Sequence, residues 1–299
     1  MSTNVLGKFK HPLRSPFVIA SRLSELKLRL GAIARNRPYR YLGDNQALID
    51  LHDGSPFVVD TQSLDLSTAL IRLGRWESWI EPSMLKPLRA GGTFVDAGAS
   101  MGYYTVLAAK RVGPRGAVFS FEPNSRIYQI LVRNRFINGV RAEAYNFALG
   151  SKAFQTKLWV PGDSTGGGYI TNDQNAEAST QGCKGMPVDV MPLDDVLPKD
   201  VTVDVMKIDV EGYEPEVLIG AQKVIERSRG IRLVIEFRPS GWVGQGHNPT
   251  TVLTQLVHAG FRFTLLRADG AQAFCSIPAM LEQAETVSET PYILAQRIA

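Results

Sequence analysis

Cysteine is scarce in this chain: Cys183 and Cys275 are the only two in 299 residues. Two thiols cannot staple a chain of this length, and they fit no metal-ligand spacing. A disulfide scaffold is excluded, and a reducing cytoplasm is the natural location. No apolar run reaches the roughly 18 residues that a membrane span requires. The N-terminus lacks the apolar stretch and small-residue cleavage site of a secretory signal. Histidine is also sparse, at four residues, and His11, His52 and His258 stand in no supporting context. Acids are nearly missing from the first forty positions, where Glu25 faces nine Lys and Arg. The net charge of +4 therefore divides into +8 there and −4 over the rest. The basicity belongs to the N-terminal segment, so it is no argument for nucleic-acid binding by the main body, and no nucleic-acid partner is expected.

The chain does have enough apolar residues, 44%, to bury a sizeable core. Residues 17–33 place Phe17, Ile19, Leu23, Leu26, Leu30 and Ile33 on a helical repeat with basic residues between them. Such a helix packs on its own domain or on a second subunit of a homo-oligomer; lying on an anionic membrane surface is the alternative. Residues 46–60 hold two apolar runs around Asp53-Gly54, a hairpin signal. Residues 65–90 read as helical. These features make residues 1–90 an N-terminal helical and hairpin extension, with a second domain over 91–299.

From residue 92 strands alternate with helices. Strands are predicted over 93–96, 117–121, 143–147, 203–208, 232–236 and 261–266, with a last edge strand near 292–297. Helices are predicted over 103–112, 124–137, 214–226 and 250–259. This alternation predicts a mostly parallel sheet of seven strands with helices on both faces. Residues 151–190, rich in Gly, Ser, Thr, Asn and Gln, read as an inserted hairpin or loop.

The chemistry is concentrated at the strand ends. Phe94-Val95-Asp96 closes a strand, and Gly98, Ala99 and Gly102 form a small-residue turn into the helix that Tyr103 opens, where Tyr103 is a candidate to line the cofactor pocket. The turn lets a ligand approach the backbone and the free N–H groups of the helix. Its spacing is not the G-x-G-x-x-G of a dinucleotide site. That absence weighs against the rival reading, a nicotinamide oxidoreductase. About twenty residues on, the second strand ends at Glu122-Pro123-Asn124, where an acid can accept both ribose hydroxyls of an adenosyl cofactor. The third ends near Asn146-Phe147-Ala148, beside the expected adenine edge. Asp96 and Glu122 taken singly could equally be helix caps.

Asp209 and Glu236 end the next two strands at the same rim. They allow a divalent cation such as Mg, clamping an acceptor hydroxyl, or direct general-base work. They could also be paired with Lys207 and Arg238. His247, in a glycine-rich loop after the fifth strand, is a further candidate base.

At this point the chain resembles the FkbM family of S-adenosylmethionine-dependent methyltransferases. The resemblance covers about residues 70–240. It is carried by Gly74-Arg-Trp-Glu77, Val95–Thr105, Phe121-Glu-Pro-Asn124, Ala148-Leu-Gly150, Leu193-Asp-Asp-Val-Leu197 and Met206–Glu214. It implies a class I, Rossmann-like methyltransferase fold and S-adenosylmethionine as cofactor. It also implies O-methylation of a sugar, glycan or polyketide-type small molecule. By that match Asp96, Gly98, Ala99, Gly102 and Glu122 are cofactor contacts. The basic first forty residues and the region after 240 lie outside the resemblance. A non-enzymatic protein that holds a membrane or nucleic acid through its basic N-terminus is the remaining alternative.

Overall fold

The computed structural model describes residues 39–161, 168–171, 182–270, 272–286 and 290–297. The predicted basic helix over 17–33 lies outside them. The described chain opens with a three-stranded antiparallel sheet: β1 (Tyr39–Gly43), β2 (Gln46–Asp50) and β3 (Pro56–Asp60). The Asp53-Gly54 turn joins β2 to β3 as expected, with Gly54 at φ +84°. β1 was not foreseen. Its turn uses Asp44 and Asn45 at φ 48° and 57°, a left-handed pair that Asn and Asp tolerate best. Two short helices follow, α1 (Leu66–Leu73) and α2 (Glu81–Leu85).

The strand–helix alternation then runs β4 (Thr93–Ala97), α3 (Tyr103–Val112), β5 (Ala117–Phe121), α4 (Ser125–Ile137) and β6 (Glu143–Tyr145). Asn124 caps α4, its side chain accepting from the N–H groups of Arg126 and Ile127. The short β7 (Ala148–Leu149) precedes the insert, a hairpin of β8 (Phe154–Pro161) and β9 (Cys183–Met191). After α5 (Leu193–Val196) come β10 (Val205–Ile208), α6 (Glu214–Gly220), α7 (Gln222–Arg227) and β11 (Arg232–Glu236). The chain continues through α8 (Pro239–Gly244), α9 (Pro249–His258), β12 (Phe261–Leu266), β13 (Gln272–Phe274), α10 (Ile277–Thr286) and β14 (Tyr292–Arg297).

The main sheet has the order β13-β12-β14-β11-β10-β4-β5-β6. Seven strands are those expected, and β14 runs antiparallel between β11 and β12. The eighth, β13, is a three-residue edge strand too short for a pattern of its own. The chain reverses direction across the sheet between β4 and β10, the place where open α/β sheets bind ligands beyond their carboxyl ends.

Side chains alternate between the faces along each strand. Val95, Ala97, Met206, Ile208, Leu233 and Ile235 belong to the core on one face. Phe94, Val205, Val234 and Leu294 belong to the core on the other, which also takes the hairpin residues Phe57 and Val59 and the helix residues Leu70 and Met84. The same alternation sends Asp96, Lys207, Glu236 and Tyr292 to that second face. Lys207 is in register with Asp96, and Glu236 with Tyr292. Four polar side chains thus collect at one end of an otherwise apolar surface, under the segment 39–85.

Candidate active site

A cavity of about 730 Å³ opens at those strand ends. Gly98, Ser100, Phe121, Glu122, Pro123 and Ala148 line one side. Trp76, Glu77, Asp209, Glu211, Glu236, Arg238 and Tyr292 line the other. Leu158, Gly168 and Ile170 of the insert complete the wall.

The first half is built on the turn after β4. Gly98 has φ +77°, and a Cβ there would lie 1.8 Å from the carbonyl oxygen of Asp209. Glycine is therefore required by the packing of the turn on the end of β10, a reason the sequence reading did not contain. Gly102 caps α3 at φ +87° against Leu131, and Ala99 is buried. Neither borders the cavity; both shape the turn. Glu122 is buried, and its two oxygens accept the N–H groups of Ser100 at 2.9 Å and Asn124 at 2.8 Å. Burial pushes its carboxyl up to about 7 against those hydrogen bonds. A carboxylate has about four lone-pair sites, so two remain for ligand hydroxyls. Ser100 holds a left-handed backbone, φ 49°, and its Oγ is buried without a partner.

Asp96 lies beneath the turn. Its Oδ2 accepts the Thr105 hydroxyl at 2.7 Å, while Oδ1 is buried without a partner. Burial raises its pKa, partly countered by Lys207 and Thr105. The geometry fits an adenosyl cofactor: an acid with open lone pairs at the end of β5, an unpartnered hydroxyl at the turn, and apolar walls from Phe121, Pro123 and Ala148. Asn146 does not line the cavity. Its Nδ2 donates to the carbonyls of Glu122 and Pro123 at 2.9 and 3.0 Å, which closes the loop after β5. Tyr103 is also off the cavity, with its hydroxyl on Glu81 Oε2 at 3.2 Å. These two were expected at the cofactor; they hold its surroundings instead.

The second half is charged. Lys207, with a side chain only 3% exposed, lies 2.7 Å from Asp209 Oδ2 and over the Tyr104 ring at 5.6 Å. Its pKa is raised by Asp209 and Asp96 despite burial. Tyr292 lies 2.9 Å from both Asp209 Oδ2 and Glu77 Oε2. Arg238 holds Glu211 at 2.7 Å and Glu236 at 3.0 Å. Burial, then the charges of Asp209 and Glu211, raise the Glu236 carboxyl well above its ordinary range, and its Oε2 has no partner. Glu214 does not face the cavity. It accepts from the N–H groups of Val210 and Gly212 and from the Trp242 indole at 2.7 Å, which pins the loop carrying Asp209 and Glu211.

Two expectations need correction. The described residues give no support to Asp209 and Glu236 as a divalent-ion pair. Each already holds a cation, Lys207 or Arg238, and a dication beside those two ammonium and guanidinium groups would be repelled. Among the described residues no group of three or more His, Cys, Asp or Glu side chains is placed to hold a metal. His247 is not a base at this rim. Its Nε2 lies 2.8 Å from Glu216 Oε1 of α6, and it does not line the cavity. The sequence reading missed Glu77, Ser100, Arg238 and Tyr292 as site residues. Glu77 had a signal in the Gly74-Arg-Trp-Glu77 motif. Tyr292 had none, because it meets Asp209 across 83 positions of sequence.

The strand order, the antiparallel β14 and the cavity across β4, β5 and β10 are those of a class I, Rossmann-like methyltransferase fold. Residues 96–263 match the model of the methyltransferase FkbM domain, and the chain belongs to that family. The chain is 28% identical over 207 residues to methyltransferase sdnD of Sordaria araneosa, covering 59% of this chain and 76% of that protein. It is 32% identical over 144 residues to methyltransferase 1 of Beauveria bassiana, covering 42% of this chain and 57% of that one. A crystal structure of the FkbM methyltransferase of Methylobacillus flagellatus KT aligns at 18% identity and TM-score 0.40, over 69% of this chain and 44% of the other. The chain thus spans little more than half of the Beauveria protein and less than half of the Methylobacillus one. No helix among the described residues is long and apolar enough to cross a membrane.

Proposed function

We propose that the chain transfers a methyl group to a hydroxyl of a sugar, glycan or polyketide-type small molecule. The observation that carries this reading is Asp209. Both of its side-chain hydrogen bonds fall on Oδ2, from Lys207 and Tyr292, and the residue lines the cavity, so its second oxygen is the one offered to an acceptor. A neutral alcohol is a poor nucleophile, and a positioned carboxylate that takes its proton typically contributes ~10²–10⁴-fold.

Glu122, Ser100 and the Gly98 turn would hold S-adenosylmethionine, with Ala99, Gly102 and Asp96 supporting the turn and Pro123 and Ala148 as walls. When bound, the cofactor supplies an electrophilic methyl group. The protein orients the acceptor hydroxyl between Asp209 and the cofactor half, and such positioning supplies about 7–11 kcal/mol in favourable cases. Asp209 Oδ1 takes the hydroxyl proton, and Lys207 stabilises the carboxylate before it does so. Arg238 offers a donor to further hydroxyls of the same molecule. The insert wall at Leu158 and Ile170 would set acceptor shape.

The test is methyl transfer from radiolabelled cofactor to a panel of polyhydroxylated and amine-bearing acceptors, with the site of methylation read by mass spectrometry. Label on oxygen, lost in Asp209→Asn with cofactor binding intact by calorimetry, is the expected result. Label on nitrogen or carbon would overturn the O-methyl reading.

A further inference from the structure

Tyr292 poses a hydrogen-counting problem. Its hydroxyl is 2.9 Å from Glu77 Oε2 and 2.9 Å from Asp209 Oδ2, yet a phenol carries one proton. If both carboxyls were ionised, one of the two contacts would set lone pairs against lone pairs. One extra proton on either carboxyl removes the conflict.

The surroundings decide which carboxyl carries it. Asp209 Oδ2 also takes the buried Lys207 ammonium at 2.7 Å, so a carboxylate there has a cation to face. Glu77 makes no ion pair among the described residues. Five groups face it: Lys207 from β10, Asp209 and Glu211 from the loop after β10, Tyr104 from α3 and Tyr292 from β14. Burial and the Asp209 charge push the Glu77 carboxyl up to about 8, with Lys207 and the Tyr292 hydrogen bond opposing. The backbone also holds Glu77 in place at some cost. Its φ is 41°, a left-handed value that residues other than glycine rarely adopt. The Tyr104 hydroxyl shares its one proton between the carbonyls of Trp76 and Glu77, at 3.1 and 3.2 Å.

We propose that Glu77 is a positioning residue: a protonated carboxylic acid that donates to Tyr292, so that Tyr292 donates to Asp209 Oδ2 and Asp209 Oδ1 is turned to the acceptor. The proton order is Glu77 to Tyr292 to Asp209, with Lys207 on the far side. The Glu77 and Tyr292 protons stay in place; the acceptor's proton goes to Oδ1 and is returned to solvent before the next turnover. The inference rests on Asp209 as the base of the proposed methyl transfer.

The decisive measurement is a ¹³C NMR titration of protein labelled at the glutamate side-chain carbonyl, with Glu77 assigned from its loss in Glu77→Gln. A neutral Glu77 at pH 7 that ionises near pH 8 is expected. A Glu77 ionised at pH 7 overturns the proposal. In turnover, Glu77→Ala and Tyr292→Phe should each lower kcat, by up to about 100-fold, with little change in KM. Glu77→Gln, whose amide still donates to Tyr292, should recover most of that loss. Wild-type kcat should fall above about pH 8, where Glu77 ionises and draws the Tyr292 proton to itself; Glu77→Gln should lack that fall. A Gln variant as impaired as the Ala variant, or a pH profile identical to wild type, overturns the positioning role. Because the titration needs neither cofactor nor acceptor, an inactive protein with a neutral Glu77 overturns only the methyl-transfer reading.

Discussion

Ser100 shows how single residues give up stability to form the site. A left-handed backbone costs an L-residue about 1–2 kcal/mol, and Ser100 holds φ 49° with a buried, unpartnered Oγ. Glycine would remove both costs, less about 0.4–1 kcal/mol for the extra freedom of the unfolded chain. Ser100→Gly is therefore expected to raise the unfolding temperature of the ligand-free protein while weakening S-adenosylmethionine binding about tenfold, the loss of one hydrogen bond. Thermal unfolding and calorimetry on the same samples check both signs. An unchanged affinity would remove Ser100 from the cofactor contacts. Gly98 obeys a different constraint. Its missing side chain makes room for the carbonyl of Asp209, so the turn and the loop that carries Asp209 are fitted to each other directly.

At the scale of elements, the hairpin before residue 60 belongs to the architecture of the site. Asn134 of α4 is fully buried. Its Oδ1 accepts from Val58 N–H at 2.6 Å, and its Nδ2 donates to the carbonyls of Val58 and Met101, both at 2.8 Å. One side chain thus ties β3, α4 and the turn before α3. Asn134→Leu would leave three buried backbone groups unpaired, at about 1–3 kcal/mol each. Chemical denaturation should show a loss of about 3 kcal/mol or more; a loss under 1 kcal/mol would mean that water replaces the amide. The local elements were the legible part of the sequence. The span of α3 agrees with its apolar pattern, and β4, β5 and β11 agree within a residue. β1, β13, α8 and α10 were missed. Each is short or weakly patterned, and a three-residue strand such as Gln272–Phe274 exists only because the edge of β12 is there to pair with it.

For the whole molecule, the buried acids set the response to pH. Glu122 and Glu214 are pushed up to about 7, and Glu77 to about 8, burial being the first cause in each. In the unfolded chain a glutamate ionises near pH ~4.3. Between those values the folded state holds protons that the unfolded state has released, so folding stability falls as pH rises from about 4.5 to about 8. The ligand-free protein should have a higher unfolding temperature at pH 5 than at pH 8. Glu77→Gln should flatten the upper part of that slope, between pH 7 and 8. A stability that rises steadily to pH 8 would contradict the burial of these acids.

The spacing of the residues alone was enough to place the first half of the cavity. Asp96, the glycine turn and Glu122 are bound to consecutive strand ends by short connections, so their spacing alone places them together. It also offered Lys207 and Arg238 as partners for Asp209 and Glu236, two positions away along the same strand or loop. Tertiary structure decided the rest. Glu77 comes from a loop before the sheet and Tyr292 from its antiparallel strand, and both meet Asp209 only because β14 is inserted beside β11 and the 39–85 segment covers that face. Their shared proton follows from burial and a hydrogen count, which depend on distance in space and leave no trace in sequence spacing. The Phe94–Thr105 turn is where the two kinds of information meet. The sequence marks it as a ligand-binding turn, and the fold shows that its first glycine is there for Asp209.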